Sequence, residues 1–215
     1  MGFEIYAADP NNWIDIAIIL SFFLIVAFPV HEFFHAFMAY RLGDGTAKMF
    51  GKLTLNPIAH FHPIGGWMLI FSTLIFGIPL GFAATPVNPS NLRGRHGEAY
   101  VAAAGPLSNF LLAAAFAIPY RILLETGVPD GFDIVFTILF IIVYYDIVLG
   151  FFNLIPVSPL DGGTILLNYL PYRYAWQVRQ FFNQFGTFIL LILILFAGRF
   201  VLIPLSDAVF RILVG

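Results

Sequence analysis

The sequence predicts an all-α polytopic membrane protein with about four full transmembrane helices, a re-entrant apolar segment and short β-strands at the membrane edge. Three observations carry this reading. Of the 215 residues, 60% are hydrophobic and only 10% are charged, against roughly 25% charged in soluble domains. Mean hydropathy is +0.90. The apolar residues fall in separate runs of about 20 or more, enough for a helix to cross a hydrocarbon layer about 30 Å thick. Because hydrocarbon offers backbone groups no water, such runs must cross as helices.

The first run extends from Trp13 to about Tyr40, opened by Asp9-Pro10-Asn11-Asn12 and closed by Gly43-Asp44-Gly45. It has neither the basic n-region nor the small-residue cleavage pattern of a signal peptide, so it reads as a span. The second runs from Glu98 to Tyr120, the third from Phe132 to Leu154 and the fourth from Phe185 to about Leu205. A fifth run, residues 64–82, is broken by Gly65-Gly66, Gly77, Pro79 and Gly81, and reads as a span or a re-entrant hairpin. Lys52-Leu53-Thr54-Leu55-Asn56 alternates apolar and polar, and Thr85 to Pro89 is a second short extended piece; both read as strands or extended loops. Tyr169 to Asn183 mixes Tyr, Trp, Arg and Phe, as a helix lying in the membrane interface would. The expectation is one membrane-embedded domain over residues 1–215 with no soluble regulatory domain.

Charge and cysteine content exclude whole classes of function. The net charge is −2 and the ten Lys and Arg are scattered, so no basic face exists to neutralise a nucleic-acid backbone. The absence of Cys removes disulfides, thiolate metal sites and thiol nucleophiles. Any metal must rest on His, Asp or Glu.

Lys and Arg near span ends favour the cytoplasmic face. If residues 64–82 re-enter, Arg41, Lys48, Lys52, Arg93, Arg95, Arg173 and Arg179 share one face, seven of the ten basic residues. If they span, the bias vanishes. The expected arrangement therefore has both termini outside and this face in the cytoplasm.

Polar side chains inside hydrocarbon cost free energy and ask for a reason. The first helix carries His31-Glu32-Phe33-Phe34-His35. His31 and His35 lie one turn apart on one face, as two imidazoles binding one Zn²⁺ require, with Glu32 beside them to take a proton from water. A catalytic zinc site usually has three protein ligands, so a third is needed. His31 lies about 27 Å along the helix from Trp13, toward the cytoplasmic half, which places Glu125, Asp130 and Asp133 at the wrong face. Asp161 lies at the right one, where Pro156 and Pro159 break the chain and Gly162-Gly163 permit close packing. Its bland alternative is a helix N-cap. Asp146, mid-span, is the rival ligand; its bland role is an interhelical hydrogen bond or a pair with Arg199.

With these residues assembled, the chain resembles the site-2 proteases, intramembrane zinc metalloproteases. The resemblance covers most of the chain. It rests on His31-Glu32-Phe33-Phe34-His35, on Gly105-Pro106-Leu107-Ser108-Asn109 and on Leu160-Asp161-Gly162. Leu53-Thr54-Leu55-Asn56-Pro57 and Pro86-Val87-Asn88-Pro89 are also similar to segments of the family's compact members. The resemblance implies one Zn²⁺ per chain held by His31, His35 and Asp161, with Glu32 as general base. It further implies that Asn153 and Asn109 bind substrate or stabilise the oxyanion, an interhelical hydrogen bond being the bland alternative for either. The implied reaction is hydrolysis of peptide bonds in or near transmembrane segments of membrane-protein substrates, in a cell membrane, with water arriving from the cytoplasmic side. Accessory or oligomeric partners stay open.

Two departures stand out. Members often read His-x-Asp-Pro where this chain has His60-Phe61-His62-Pro63, and often carry Asn where it has Asp146. The first change puts an extra imidazole, His62, in the hairpin near the cytoplasmic surface, where binding or sensing of metal or pH competes with the bland reading of a solvated loop histidine; the second adds a possible charge in the core. The competing functions are a membrane metal transporter, an inactive protease relative and a structural scaffold. Glu32 separates the first from a protease, because transport has no need of an acid beside the histidines.

Overall fold

The computed structural model describes residues 13–76, 84–193 and 200–215. Three helices are long and apolar enough to cross a membrane: α1, Trp13–Arg41; α3, Gly97–Thr126; and α4, Asp133–Asn153. Between the first two lies α2, Pro63–Phe76. After them come α5, Asp161–Tyr169, α6, Tyr172–Ile192, and α7, Ile203–Val214. This is a helical integral membrane protein. The described part of the fifth apolar run is α2, only about 21 Å long at 1.5 Å per residue. The later part of that run falls in residues 77–83, outside the described residues. The expected interfacial stretch and the start of the fourth span form a single helix, α6. The middle of that span, residues 194–199 with Arg199, also lies outside the described residues.

The helix α3 shows why the sequence folds as it does. Leu107, Leu111, Ile118 and Ile122 form a stripe more than half exposed, whereas Val101, Asn109, Ala113, Ala117 and Tyr120 are buried on the other side. The exposed stripe is apolar because its solvent is lipid. The buried one is rich in small residues, which let neighbouring helices approach closely. Accordingly α3 packs on α1, α4 and α5. Leu139 to Val143, Phe210 and Val214 join Ile19, Phe22 and Phe23 in the apolar core, at the Trp13 end of α1. The polar residues gather at the other end.

α1 is not a regular α-helix throughout. Phe23–Ala27 wind as a π-helix, and the Phe28 N–H reaches back to the Phe23 carbonyl. Pro29 follows in the next turn, where its missing N–H breaks the ordinary ladder. An extra residue in one turn rotates everything after it by about 100°. The rotation brings His31 and His35 against α3, with His31 opposite Asn109 and His35 opposite Val101. As α1 runs forward α3 runs backward, so the two are antiparallel.

Asp44 fastens the end of α1 to the start of α3. It is fully buried and accepts hydrogen bonds from the Thr46 hydroxyl and N–H, the Asn88 N–H at 2.7 Å and the Asn91 side-chain amide at 3.0 Å. The Arg93 N–H adds a bond to the Leu42 carbonyl at 2.8 Å. The chain thus leaves α1 and returns to α3 on the same face. Burial pushes the Asp44 carboxyl up, but its donors more than offset this and hold it below the usual carboxylate range. Removing such a hydrogen-bonded buried group leaves donors unpaired, so Asp44→Ala is expected to lower stability by about 1–3 kcal/mol. Because the folded-state value is lowered, the contribution is complete above the unfolded value, near 4, and is lost as pH falls through the folded one. Thermal melts of both proteins at pH 7 and in acid check this; the gap should narrow in acid.

The expected membrane-edge strands are absent among the described residues. Residues 52–56 form bends leading into a one-turn helix, Pro57–His60. The Asn56 side chain caps that helix by accepting from the Ile58 N–H, and the Thr54 carbonyl accepts from His60 Nε2 at 2.7 Å. Local side-chain bonds thus take groups a ladder would need. Residues 84–88 are an extended loop, where Pro86 and Pro89 cannot donate.

His60, to which the sequence assigns no role, lies in the core. It is buried, 2% exposed, because its helical turn packs on the π-helical stretch of α1. With Leu24, Phe28 and Pro29 it lines a cavity of about 10 Å³, room for about one water. His62 is partly buried, and its Nδ1 accepts from the Gly65 N–H at 3.3 Å.

Candidate metal centre

His31, His35 and Asp161 come together at the crossing of α1, α3 and α5, as one group whose donor atoms lie within 4.8 Å of one another. His31 Nε2 is 2.9 Å from His35 Nε2. Asp161 Oδ2 is 3.2 Å from the first and 3.3 Å from the second. Both histidines are buried and Asp161 is partly so.

Each imidazole is held by its other nitrogen. His31 Nδ1 donates to Asn109 Oδ1 at 2.7 Å and His35 Nδ1 donates to the Val101 carbonyl at 2.7 Å. In a neutral ring only one nitrogen carries hydrogen, so both Nε2 atoms present lone pairs. Val101 and Asn109 stand eight residues apart on one face of α3, with Gly105 midway. A Cβ on Gly105 would collide with His35 Nε2 and lie 2.6 Å from His31 Cε1. The glycine is the floor on which the two rings rest.

Asp161 is the first residue of α5, and Leu160 rather than Asp161 is its N-cap. The bland capping role is therefore not the one Asp161 takes. A Cβ on Gly162 would strike the carbonyls of Leu154 and Ile155, and one on Gly163 the backbone of Ser158. Only glycine at both positions lets the first turn of α5 tuck under the preceding loop, leaving Asp161 facing α1.

With both rings neutral, three lone-pair donors converge on one point, and Asp161 Oδ2 is buried without a hydrogen-bond partner among the described residues. Such an arrangement calls for a cation. Tetrahedral zinc with bonds of about 2.0–2.1 Å sets its ligands about 3.3–3.4 Å apart, close to the triangle found. The residues fit zinc.

Glu32 is buried beside this triangle, 7% exposed, and its carboxylate interacts electrostatically with His35. Its backbone carbonyl accepts from the Thr85 hydroxyl at 3.1 Å, which holds the 84–88 loop against the helix turn that carries the acid. Asn153 at the end of α4 donates from its amide to the Leu149 carbonyl at 3.0 Å. Asp146, the rival ligand, lies outside the triangle and is bonded instead to Asn109. The Val101 carbonyl and Asp44 escaped the sequence reading. A backbone acceptor leaves no mark in a sequence, while Gly43-Asp44-Gly45 was legible as a helix stop but not as an anchor.

A buried His-Glu-x-x-His helix closed by an aspartate at the start of a short helix after a broken loop, inside a bundle of membrane-crossing helices, defines an intramembrane zinc metalloprotease. The profile of Peptidase family M50 matches residues 130–196, a stretch that includes Asn153 and Asp161. The Bacillus subtilis protein named "Putative zinc metalloprotease YwhC" is 33% identical over 86% of this chain and 84% of its own. The Mycolicibacterium smegmatis protein named "Putative zinc metalloprotease Rip2" is 28% identical over 73% of this chain and 60% of its own. "Zinc metalloprotease MJ0392" of Methanocaldococcus jannaschii is 28% identical over 86% of this chain and 44% of its own. No solved structure matches the chain. The chain belongs to peptidase family M50, the site-2 proteases.

Proposed function

We propose that His31, His35 and Asp161 are the zinc ligands, that Glu32 is the general base, and that the chain cleaves single membrane-crossing segments presented from the lipid. The observation that carries this is the buried triangle of two imidazole nitrogens and a carboxylate oxygen, with the Glu32 carboxylate beside it. Bound zinc supplies a Lewis acid that acidifies water and polarises the scissile carbonyl. Glu32 accepts the proton of the attacking water on its carboxylate and returns it to the leaving amine. His31 and His35 keep their Nδ1 protons throughout, fixed by Asn109 and Val101. The amide of Asn153 gives up its bond to Leu149 to meet the substrate backbone.

The site lies six to ten residues, about 9–15 Å, before Arg41 along α1. That end of α1 is joined to the start of α3 through Asp44 and Arg93, which supports re-entry of residues 64–82 rather than a single crossing. Re-entry gathers the seven basic residues on one face and makes it cytoplasmic. On this reading the fold is one membrane-embedded domain of four spans and a hairpin, with water entering beside the broken loop 154–160.

The test uses the full chain in proteoliposomes with a panel of tagged single-pass segments carrying helix-breaking residues. Cleavage within the membrane segment is expected, lost on treatment with a zinc chelator and restored by added zinc. Cleavage indifferent to chelation would overturn the reading.

A further inference from the structure

The two imidazoles are oriented by unlike partners. His35 Nδ1 faces the Val101 carbonyl, which can only accept, so the proton on that ring has one place to sit. His31 Nδ1 faces the side chain of Asn109, and an amide turned by 180° exchanges its oxygen for an NH₂. In the turned form the NH₂ would point at His31 Nδ1 and force the ring proton onto Nε2, the atom that the metal needs. Asn109 alone has no means of choosing.

The choice is made one helix away. Asn109 Nδ2 donates to Asp146 Oδ1 at 2.7 Å, and both side chains are fully buried, 0% exposed. A turned amide would set oxygen against oxygen. We propose that Asp146 is a positioning residue for zinc: its carboxylate locks the Asn109 amide, the amide locks the His31 proton on Nδ1, and His31 Nε2 is thereby kept open to the metal. The inference rests on the zinc reading above and adds to it a hydrogen-bonded line from Asp146 on α4 through Asn109 on α3 to His31 on α1.

The carboxylate is expensive where it stands. Its second oxygen, Oδ2, is buried with no hydrogen-bond partner among the described residues, and an unsatisfied polar atom in a core destabilises the fold. A group serving only to join α3 to α4 would be better replaced by apolar packing, such as surrounds it at Val143, Ile147 and Gly150. The lock on the amide is what the cost obtains.

The test loads detergent-purified full chain with zinc and follows its transfer to a chelating dye. Partners behind a metal-bound histidine typically change affinity by about 10–100-fold, so D146L is expected to release zinc at least about tenfold faster. D146N, whose amide can itself turn and so offers Asn109 either an oxygen or an NH₂, should release zinc faster than wild type and no faster than D146L. In N109D/D146L the carboxylate facing His31 can only accept, so slow release should return without Asp146. Melting of the zinc-free proteins reports any purely structural effect separately. Wild-type release from folded D146L, or fast release from N109D/D146L, would overturn the proposal. Absence of zinc from wild type would instead overturn the metal site itself.

Discussion

Replacement of Glu32 by Gln is expected to abolish cleavage while leaving zinc in place. Glu32 is buried, and Gln matches its shape without its charge, so the helix turn and both histidines should keep their positions. What disappears is a group able to take a proton from water and hand it on. General bases contribute about 10²–10⁴ in rate, which at 1.36 kcal/mol per tenfold is about 3–5 kcal/mol of barrier. The check is paired: elemental analysis of the purified variant, and cleavage of a membrane segment in proteoliposomes. A variant that keeps full activity would remove the general base from the mechanism. One that loses zinc would recast Glu32 as part of the metal site.

Removal of a ligand should have the opposite signature. In His35→Ala and in Asp161→Ala, the triangle of donors 2.9–3.3 Å apart is reduced to two, and zinc of about one per chain in wild type should fall to a trace. Three protein ligands is the usual number for a catalytic zinc, with the fourth position reserved for water. Asp146→Leu, measured beside them, should retain stoichiometric zinc when no chelator competes, because Asp146 acts on the ligand His31 only through Asn109. Elemental analysis of the four proteins decides this directly. Loss of zinc in His35→Ala with retention in Asp161→Ala would send the search for the third ligand elsewhere.

Much of the site was legible because it is local. The pair His31 and His35, with Glu32 between, needs nothing but the helical period, and an apolar run around it makes each polar residue conspicuous. The long helices were legible for the same reason, and α1, α3 and α4 fall where the hydropathy places them. Asp161 was legible as an acid among helix breakers, although its capping alternative and the rival Asp146 could be separated only in three dimensions. The strands at 52–56 and 85–89 failed because alternation is a weak signal against Asn56 and Asn88, whose side chains each cap the backbone two residues on. The burial of His60 was not legible, because only packing of its helical turn on α1 around Leu24, Phe28 and Pro29 removes it from solvent.

The sequence by itself therefore determined that this is a helical membrane protein with a His-Glu-x-x-His turn inside its first span, since composition and a four-residue spacing are properties of neighbouring residues. The tertiary structure alone decided which carboxylate meets that turn, why Gly105 must lie beneath it, and that Asn109 holds His31 while Asp146 holds Asn109. Those partners stand 37 to 130 residues apart along the chain. No local periodicity relates them; they are brought together by antiparallel helices whose small residues permit close approach, and by a rotation introduced one turn before Pro29.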